Sequence, residues 1–168
     1  TGNLSTLASS MKPRRVRFLK GSITKKSDVD KAVRGANAIF HEAALVSVPV
    51  SFKNPKAFYK VNSESTINLL EASRRYDVKY FVYASSSSVY GETKIQPVKE
   101  DWPSKPISPY AVSKLAAEEY CRLYWRAYRL STVSLRYFNV YGPRQTGGVY
   151  SGVISIFAKA IFSGRPLT

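Results

Sequence analysis

The chain has 168 residues, with 26 Lys+Arg against 11 Asp+Glu and a formal net charge of +15 at pH 7. This length suits a single domain with a real hydrophobic core. No apolar run is long enough to cross a membrane, and the N-terminal segment lacks the apolar region of a signal peptide. One cysteine, Cys121, and one histidine argue against a zinc site, so we predict no metal and a cytoplasmic location.

The positive charge would suit a nucleic-acid partner. However, the basic residues are spread along the chain apart from one cluster between Lys12 and Lys20. No RNA-binding motif or recognition helix stands out from the sequence. An anionic diphosphate ligand or a solvated basic surface accounts for much of the charge, so we do not expect nucleic acid as the main partner.

Apolar runs alternate with helical patterns along the chain. The runs predict strands at 16–19, 38–41, 79–84 and 131–137. Helices are predicted at 28–35 with Ser27 as N-cap, at 56–76 after Asn54-Pro55, at 110–129 and at 151–162. Apolar or proline-rich loops are predicted at 43–52, 91–109 and 139–148. This alternation predicts an α/β fold with a doubly wound parallel sheet and helices on both faces.

One segment, 83–114, carries the clearest chemistry. Tyr110 and Lys114 are four residues apart at the start of a predicted helix, which is about one turn, so their side chains would be neighbours. An ammonium stabilises a nearby phenolate, which would let Tyr110 exchange a proton near neutral pH. Taken alone, the spacing also fits a surface pair that shares a helix face by chance.

Neighbouring segments favour the site. Ligands of open parallel sheets bind at the carboxyl ends of the strands. The groups predicted to fall there are Ala43-Ala44, Ser85 to Ser88, the Tyr110 helix start, and Tyr137-Phe138-Asn139. His41 is interpreted as a strand-end residue and not as a base. The convergence predicts a functional site at this edge of the sheet.

The chain resembles the extended short-chain dehydrogenase/reductase family, and within it the UDP-glucose 4-epimerase group. The matching segments run in family order and are NLST (3–6), GSI (21–23), IFHEAA (39–44), VN (61–62), SSSSVYG (85–91), SPYAVSK (108–114) and LRYFNVYGPRQ (135–145). The loop AALVSVPVS is most similar to members that accept N-acetylated UDP-hexosamines. The resemblance implies a partial Rossmann-type fold, with an incomplete NAD-binding domain over 1–148 and the start of a substrate lobe over 149–168.

The resemblance also implies a reaction. NAD would take a hydride from C4 of a UDP-sugar while Tyr110 removes the hydroxyl proton, and the C4 epimer would form through a 4-keto sugar. Ser86 matches the serine that hydrogen-bonds the C4 oxygen, and Lys114 would hold the nicotinamide ribose. Related 4,6-dehydratases carry a carboxylic acid where this chain has Ser87-Ser88, so we expect epimerisation over dehydration. A homodimer is a further expectation from the resemblance.

Further site residues are carried over by position. The implied NAD contacts are Asn3, Ile23, Ala43, Ala44, Asn62, Lys114 and Tyr137, and the implied substrate contacts are Ser47, Ser87, Ser88 and Asn139. Six of these residues also have a plainer interpretation. The alanines could be close packing, Asn62 a cap or solvated amide, Tyr137 a strand aromatic, and Ser47 and Asn139 loop residues.

The chain also departs from the family pattern. It has no G-x-x-G-x-x-G turn for the pyrophosphate, Gly2 stands where the family has a ribose-binding Asp, and Ser22 replaces an Asp near adenine. The chain is therefore expected to correspond to the middle portion of an epimerase and to bind NAD weakly. These departures and the charge leave a second hypothesis open, a non-catalytic protein that keeps the fold and offers a basic surface, possibly to RNA.

Overall fold

The computed structural model describes residues 16–93, 96–142, 145 and 152–167. They fall into two compact units, one of Ser22–Val140 and one formed by the chain up to Gly21 and from Tyr141 onward. The larger unit holds α1 (Lys26–Val33), β1 (Ala38–His41), α2 (Val48–Lys53), α3 (Pro55–Phe58), α4 (Ser65–Arg75), β2 (Tyr80–Ser86), α5 (Pro109–Tyr128) and β3 (Ser131–Tyr137). The smaller unit holds α6 (Val153–Phe162). None of these helices combines the length and the apolar character that crossing a membrane requires.

The three described strands form a parallel sheet in the order β1-β2-β3. In the register, His41 lies opposite Tyr83, and Ser86 lies opposite Tyr137. The carboxyl ends of all three strands therefore lie along one edge. The predicted parallel α/β class is confirmed, and β1 and β3 have the predicted bounds.

The core of the larger unit lies between the sheet and the helices α1, α4 and α5. Because side chains alternate along a strand, Phe81 and Tyr83 point into this core while Val82 points to the other face. The predicted burial of Leu69, Leu70, Ala72 and Cys121 is confirmed. The hydroxyl of Tyr83 finds no hydrogen-bond partner among the described residues.

Helix α2 takes up the second half of 43–52, where we predicted a loop, and ends one residue beyond it at Lys53. The Ser47 side chain accepts a hydrogen bond from the Val50 N–H at 3.4 Å and caps the helix. Pro49 lies in the first turn, where its missing N–H costs nothing. We predicted a loop because we interpreted Pro49 as a helix breaker. At the start of a helix a proline is tolerated, so the prediction was wrong.

The predicted helix over 56–76 is confirmed in outline. The Asn54 side chain caps α3 by accepting from the Ala57 N–H at 3.3 Å. A π-helical turn at Tyr59–Glu64 then separates α3 from α4. The extra residue in that turn shifts the helix face, so Asn62 and Ser63 are buried while Val61, predicted to be buried, is half-buried.

Two N-terminal predictions were wrong. Residues 16–20 do not form a strand, because the described sheet contains only β1, β2 and β3. Val16 and Leu19 are exposed and not buried in a sheet. Ser27 is not an N-cap, because α1 starts at Lys26 directly after the turn closed by Lys25 N–H to Ser22 O at 3.0 Å. The Asp28 carboxylate instead accepts from the Ser22 N–H at 2.9 Å.

Helix α5 forms as its sequence predicts. The Ser108 side chain accepts from the Ala111 N–H at 3.1 Å, and Pro109 occupies the first turn. Arg129 ends the helix with a left-handed backbone, φ 58°. These signals place Tyr110 in the first turn of α5.

Candidate active site at the carboxyl edge of the sheet

Lys114 is the buried cation of this edge, with 3% of its surface exposed. Its ammonium donates a hydrogen bond to the Ala84 carbonyl at 2.6 Å and lies 4.8 Å from the centre of the Tyr83 ring. Burial lowers the pKa of Lys114 to about 8, against the opposing pull of the Glu42 and Glu118 carboxylates. The side chain therefore stays mainly protonated at neutral pH, at an edge where ligands of parallel sheets bind.

Tyr110 lies one turn before Lys114 on α5. Its ring is half-buried and packs edge-on against Phe58, with 6.2 Å between the ring centres. The Tyr110 carbonyl accepts from the Ser113 hydroxyl at 2.7 Å, which ties the first turn of the helix together. Phe58 therefore supports the Tyr110 ring on one side, and part of the side chain remains accessible to solvent.

Ser86 ends β2 and caps a 3₁₀ turn at Ser87–Tyr90. Its hydroxyl oxygen accepts from the Ser88 N–H at 3.2 Å and from the Ser88 hydroxyl at 2.8 Å. Both contacts use the oxygen as an acceptor, so the Ser86 O–H can still donate to another group. Ser87, in the same turn, is half-buried.

Ser85, the first serine of the run, has a structural role that the sequence did not reveal. It is buried and donates to the Glu118 carboxylate of α5. Glu118 also accepts from the Arg136 guanidinium of β3 at 2.9 Å, and Arg136 lies 4.6 Å from the centre of the Tyr90 ring. Arg136 further reaches Ser104 at 3.1 Å, so this cluster holds the 96–108 loop to the sheet.

Glu118 and Arg136 could have been suspected from position alone. Glu118 lies one helical turn after Lys114, and Arg136 is on the same face of β3 as Ser134. A charged residue on the covered face of a strand needs a partner, and a carboxylate on the covering helix supplies it.

Asn62 is buried, with 1% of its surface exposed. Its side-chain oxygen accepts from the Leu45 N–H at 2.8 Å, and its amide donates to the Leu45 carbonyl and the Ser113 hydroxyl, both at 3.0 Å. It is therefore neither a cap nor a solvated amide. It fixes the loop after β1, which contains Ala43-Ala44, to α5. Its own contact with NAD stays a prediction.

Tyr137 and Glu42 join the ends of the two outer strands. The Tyr137 hydroxyl donates to the Glu42 carboxylate at 3.2 Å. Partial desolvation, together with this carboxylate, raises the pKa of Tyr137. The sequence analysis selected Tyr137 but not Glu42, although Glu42 directly follows a strand that ends at the site.

The other predicted site residues make fewer contacts with the groups described above. Ala43 is exposed and Ala44 half-buried, Asn139 is exposed beyond β3, and Ser47 caps α2. Ile23 packs against the hydrophobic core. Asn3 lies outside the described residues. The site roles assigned to all of these residues remain predictions, and the described ranges contain no cluster of three or more His, Cys, Asp or Glu side chains that could hold a metal ion.

A parallel sheet with polar groups gathered at its carboxyl edge is typical of nucleotide-binding α/β proteins. Comparison with known proteins identifies the family. The sequence model of the NAD dependent epimerase/dehydratase protein family matches residues 2–168. The chain therefore belongs to this family.

The relatives and solved structures agree with that assignment. A putative UDP-glucose 4-epimerase of Methanocaldococcus jannaschii is 40% identical over 151 residues, covering 88% of this chain and 49% of the relative. The crystal structure of Thermus thermophilus UDP-glucose 4-epimerase in complex with NAD is 42% identical with a TM-score of 0.85, covering 92% and 51% of the two chains. UDP-N-acetylglucosamine 4-epimerase of Methanobrevibacter ruminantium, in complex with UDP-N-acetylmuramic acid, is 34% identical with a TM-score of 0.91, covering 98% and 53%. The chain thus spans about half the length of these proteins.

Proposed function

We propose that the protein contributes to NAD-dependent epimerisation at C4 of a UDP-hexose or UDP-N-acetylhexosamine. The observation that carries this proposal is the buried Lys114 ammonium, one turn from Tyr110 and hydrogen-bonded to the Ala84 carbonyl of β2. Burying a cation costs free energy, and here the cost falls at the edge where a ligand would bind. The similarity to epimerases in complex with NAD and with a UDP-sugar supports the same assignment.

The residues of this edge fit a dinucleotide. Among the described residues the Lys114 ammonium donates only to Ala84, which leaves donor capacity for ribose hydroxyls. The small side chains of Ala43 and Ala44 allow close approach to the backbone after β1. Tyr137 offers a phenol that is hydrogen-bonded to Glu42, the residue that precedes Ala43. NAD, when bound, would supply the hydride acceptor and donor of the reaction.

The chain's own residues would manage the protons. The Tyr110 phenolate oxygen would take the proton from the C4 hydroxyl and return it to the C4 oxygen of the turned 4-keto sugar. Ser86 would donate a hydrogen bond to the same oxygen, since its own oxygen is occupied by Ser88. Lys114, one turn further along α5, would hold the nicotinamide ribose.

The serine turn supports epimerisation over dehydration. Removal of water at C6 needs a carboxylic acid to protonate the leaving hydroxyl, and positions 87 and 88 are both serine. In the structure Ser88 is used to support Ser86. The nearby carboxylate Glu118 is committed to Ser85 and Arg136, so it does not replace the missing acid.

The products distinguish the possibilities. We would incubate the chain with UDP-glucose or UDP-N-acetylglucosamine and excess NAD in D₂O, and follow the sugar by NMR and mass spectrometry. The proposal predicts the C4 epimer with no deuterium on carbon and no loss of water. A 4-keto-6-deoxy sugar carrying deuterium would identify a dehydratase, and no product from the folded chain would favour the non-catalytic hypothesis.

A further inference from the structure

Tyr83 is a buried aromatic residue at the candidate site that the reaction described above does not use. It lies in β2 directly before Ala84, with 1% of its surface exposed. The Lys114 ammonium lies 4.8 Å from the centre of the Tyr83 ring, within the distance of about 6 Å at which an aromatic face attracts a cation. The Ala84 carbonyl accepts from the same ammonium at 2.6 Å. Two adjacent residues of β2 therefore contact the lysine.

The charged groups around Lys114 do not form an ion pair with it in the described part of the chain. Those that influence it at longer range are Glu118 on its own helix, His41 at the end of β1 and Glu42 directly after it. Glu118 is itself paired with Arg136 at 2.9 Å. At short range, the cost of burying the ammonium is therefore offset by the β2 carbonyl and by the aromatic ring.

The hydroxyl and the ring of Tyr83 contribute differently. The hydroxyl has no hydrogen-bond partner among the described residues, and burying an unpaired hydroxyl is unfavourable. The ring belongs to the hydrophobic core, and its centre lies 5.6 Å from that of the His41 ring. The favourable contacts of this side chain are therefore made by its ring, which can be tested separately from its hydroxyl.

We propose that Tyr83 is a positioning residue whose aromatic ring holds the Lys114 ammonium at the carboxyl edge of the sheet through a cation–π interaction. An ammonium has three N–H donors. One donates to the Ala84 carbonyl and one can face the ring, which leaves a third for a ligand hydroxyl. The value of that donor for catalysis rests on the proposed function, whereas the interaction with the ring can be measured on the ligand-free chain.

The test changes the electron density of the ring at position 83 and nearly keeps its shape. Tyr83→Phe removes the hydroxyl alone, and a trifluorinated phenylalanine at the same position also weakens the negative face of the ring. NMR would follow the titration of Lys114 through its ε-methylene signal, which is assigned by its loss in Lys114→Met. Tyr83→Phe should keep the midpoint within about 0.2 pH units of the unmodified chain, and the fluorinated ring should lower it by roughly 0.5 pH units or more.

The matched control places the same fluorinated residue at Phe81, which is buried in the same strand and core and has no cation over its ring among the described residues. Its Lys114 midpoint should stay close to that of the unmodified chain. A second comparison, Tyr83→Leu against Phe81→Leu, removes each ring and should lower the midpoint only in the first variant. Circular dichroism would verify that each variant is folded.

The proposal is overturned if the Lys114 midpoint falls no further with the altered residue at position 83 than with the same residue at position 81. Because no cofactor or sugar is present in the titration, that failure would leave the proposed reaction untouched. Failure of turnover would likewise leave the result of the titration standing.

Discussion

At the scale of single residues, the site contains polar groups that the fold buries at a cost. Lys114 is nearly inaccessible, and burial lowers its pKa to about 8. Tyr83, beneath it, carries a hydroxyl with no partner among the described residues, and its pKa is raised by the same desolvation. Such unfavourable burial is common at functional sites, where the geometry serves a ligand and not the stability of the fold.

His41 provides a pH-dependent prediction at this scale. The Thr66 hydroxyl donates to the Asn62 carbonyl at 2.6 Å, so its oxygen accepts from His41 Nε2–H at 2.9 Å. Burial, aided by the charge on Lys114, lowers the pKa of His41 from 6.5 to about 4. Between these values the unfolded state binds the extra proton, so the free energy of unfolding should decrease as the pH falls from 6.5 towards 4.

The expected loss from His41 is about 2 kcal/mol between about pH 7 and about pH 5. Denaturant unfolding at the two pH values would measure it, with His41→Gln as the matched variant. That variant should lose less of its unfolding free energy over the same interval. Equal losses in the two proteins would show that His41 does not titrate with a lowered pKa.

At the scale of elements, the position of the 96–108 loop against the serine turn depends on one glycine. Gly91 has a backbone φ of +72°, and a β-carbon added there would collide with the Lys105 carbonyl. This close approach accompanies the hydrogen bond from the Lys105 N–H to the Val89 carbonyl at 2.9 Å. The bond fixes the later part of the 96–108 loop next to the turn that follows β2.

Gly91→Ala should therefore lower the free energy of unfolding by roughly 2–4 kcal/mol, from backbone strain together with overpacking. Gly35→Ala is the matched control, because Gly35 has a similar φ of +79° with open space around it. The control should cost only about 1–2 kcal/mol. Thermal or denaturant unfolding of both variants would measure the difference, and equal costs would refute the role of the Lys105 contact.

Secondary structure was predictable where its signal was local. Ser108-Pro109 marks the start of α5, a short apolar run marked β1, and the segment STVSLRY marked β3. The start of α2 was missed because Val-Pro-Val in an apolar segment resembles a loop. The helix depends on the Ser47 cap and on packing against α5, and the second of these is not local information.

The candidate site was predictable only in part, for the same reason. A run of four serines contains no signal that separates Ser85, which is buried against Glu118, from Ser86, which presents its hydroxyl at the strand end. Asn62 was selected by resemblance, but its hydrogen bonds to Leu45 and Ser113 depend on the π-helical turn. Long-range contacts of this kind follow from the fold and not from neighbouring residues.

At the scale of the whole molecule, family membership is established while several properties stay predictions. The chain spans about half the length of the relatives described above. The division at residue 148, a homodimer, a cytoplasmic location and the absence of a nucleic-acid partner are still untested. Weak binding of NAD also stays a prediction, based on the missing G-x-x-G-x-x-G turn, and turnover assays should therefore contain excess NAD.

The central claim is that Tyr110 exchanges the C4 hydroxyl proton, and its most direct test is the rate of C4 epimerisation in Tyr110→Phe. Tyr120→Phe is the matched control, since Tyr120 lies on the same helix with 39% of its surface exposed. With UDP-hexose and excess NAD, Tyr110→Phe should be slower by about 100-fold or more, while Tyr120→Phe stays within about twofold of the unmodified chain. Unchanged epimerisation in Tyr110→Phe would contradict the assignment.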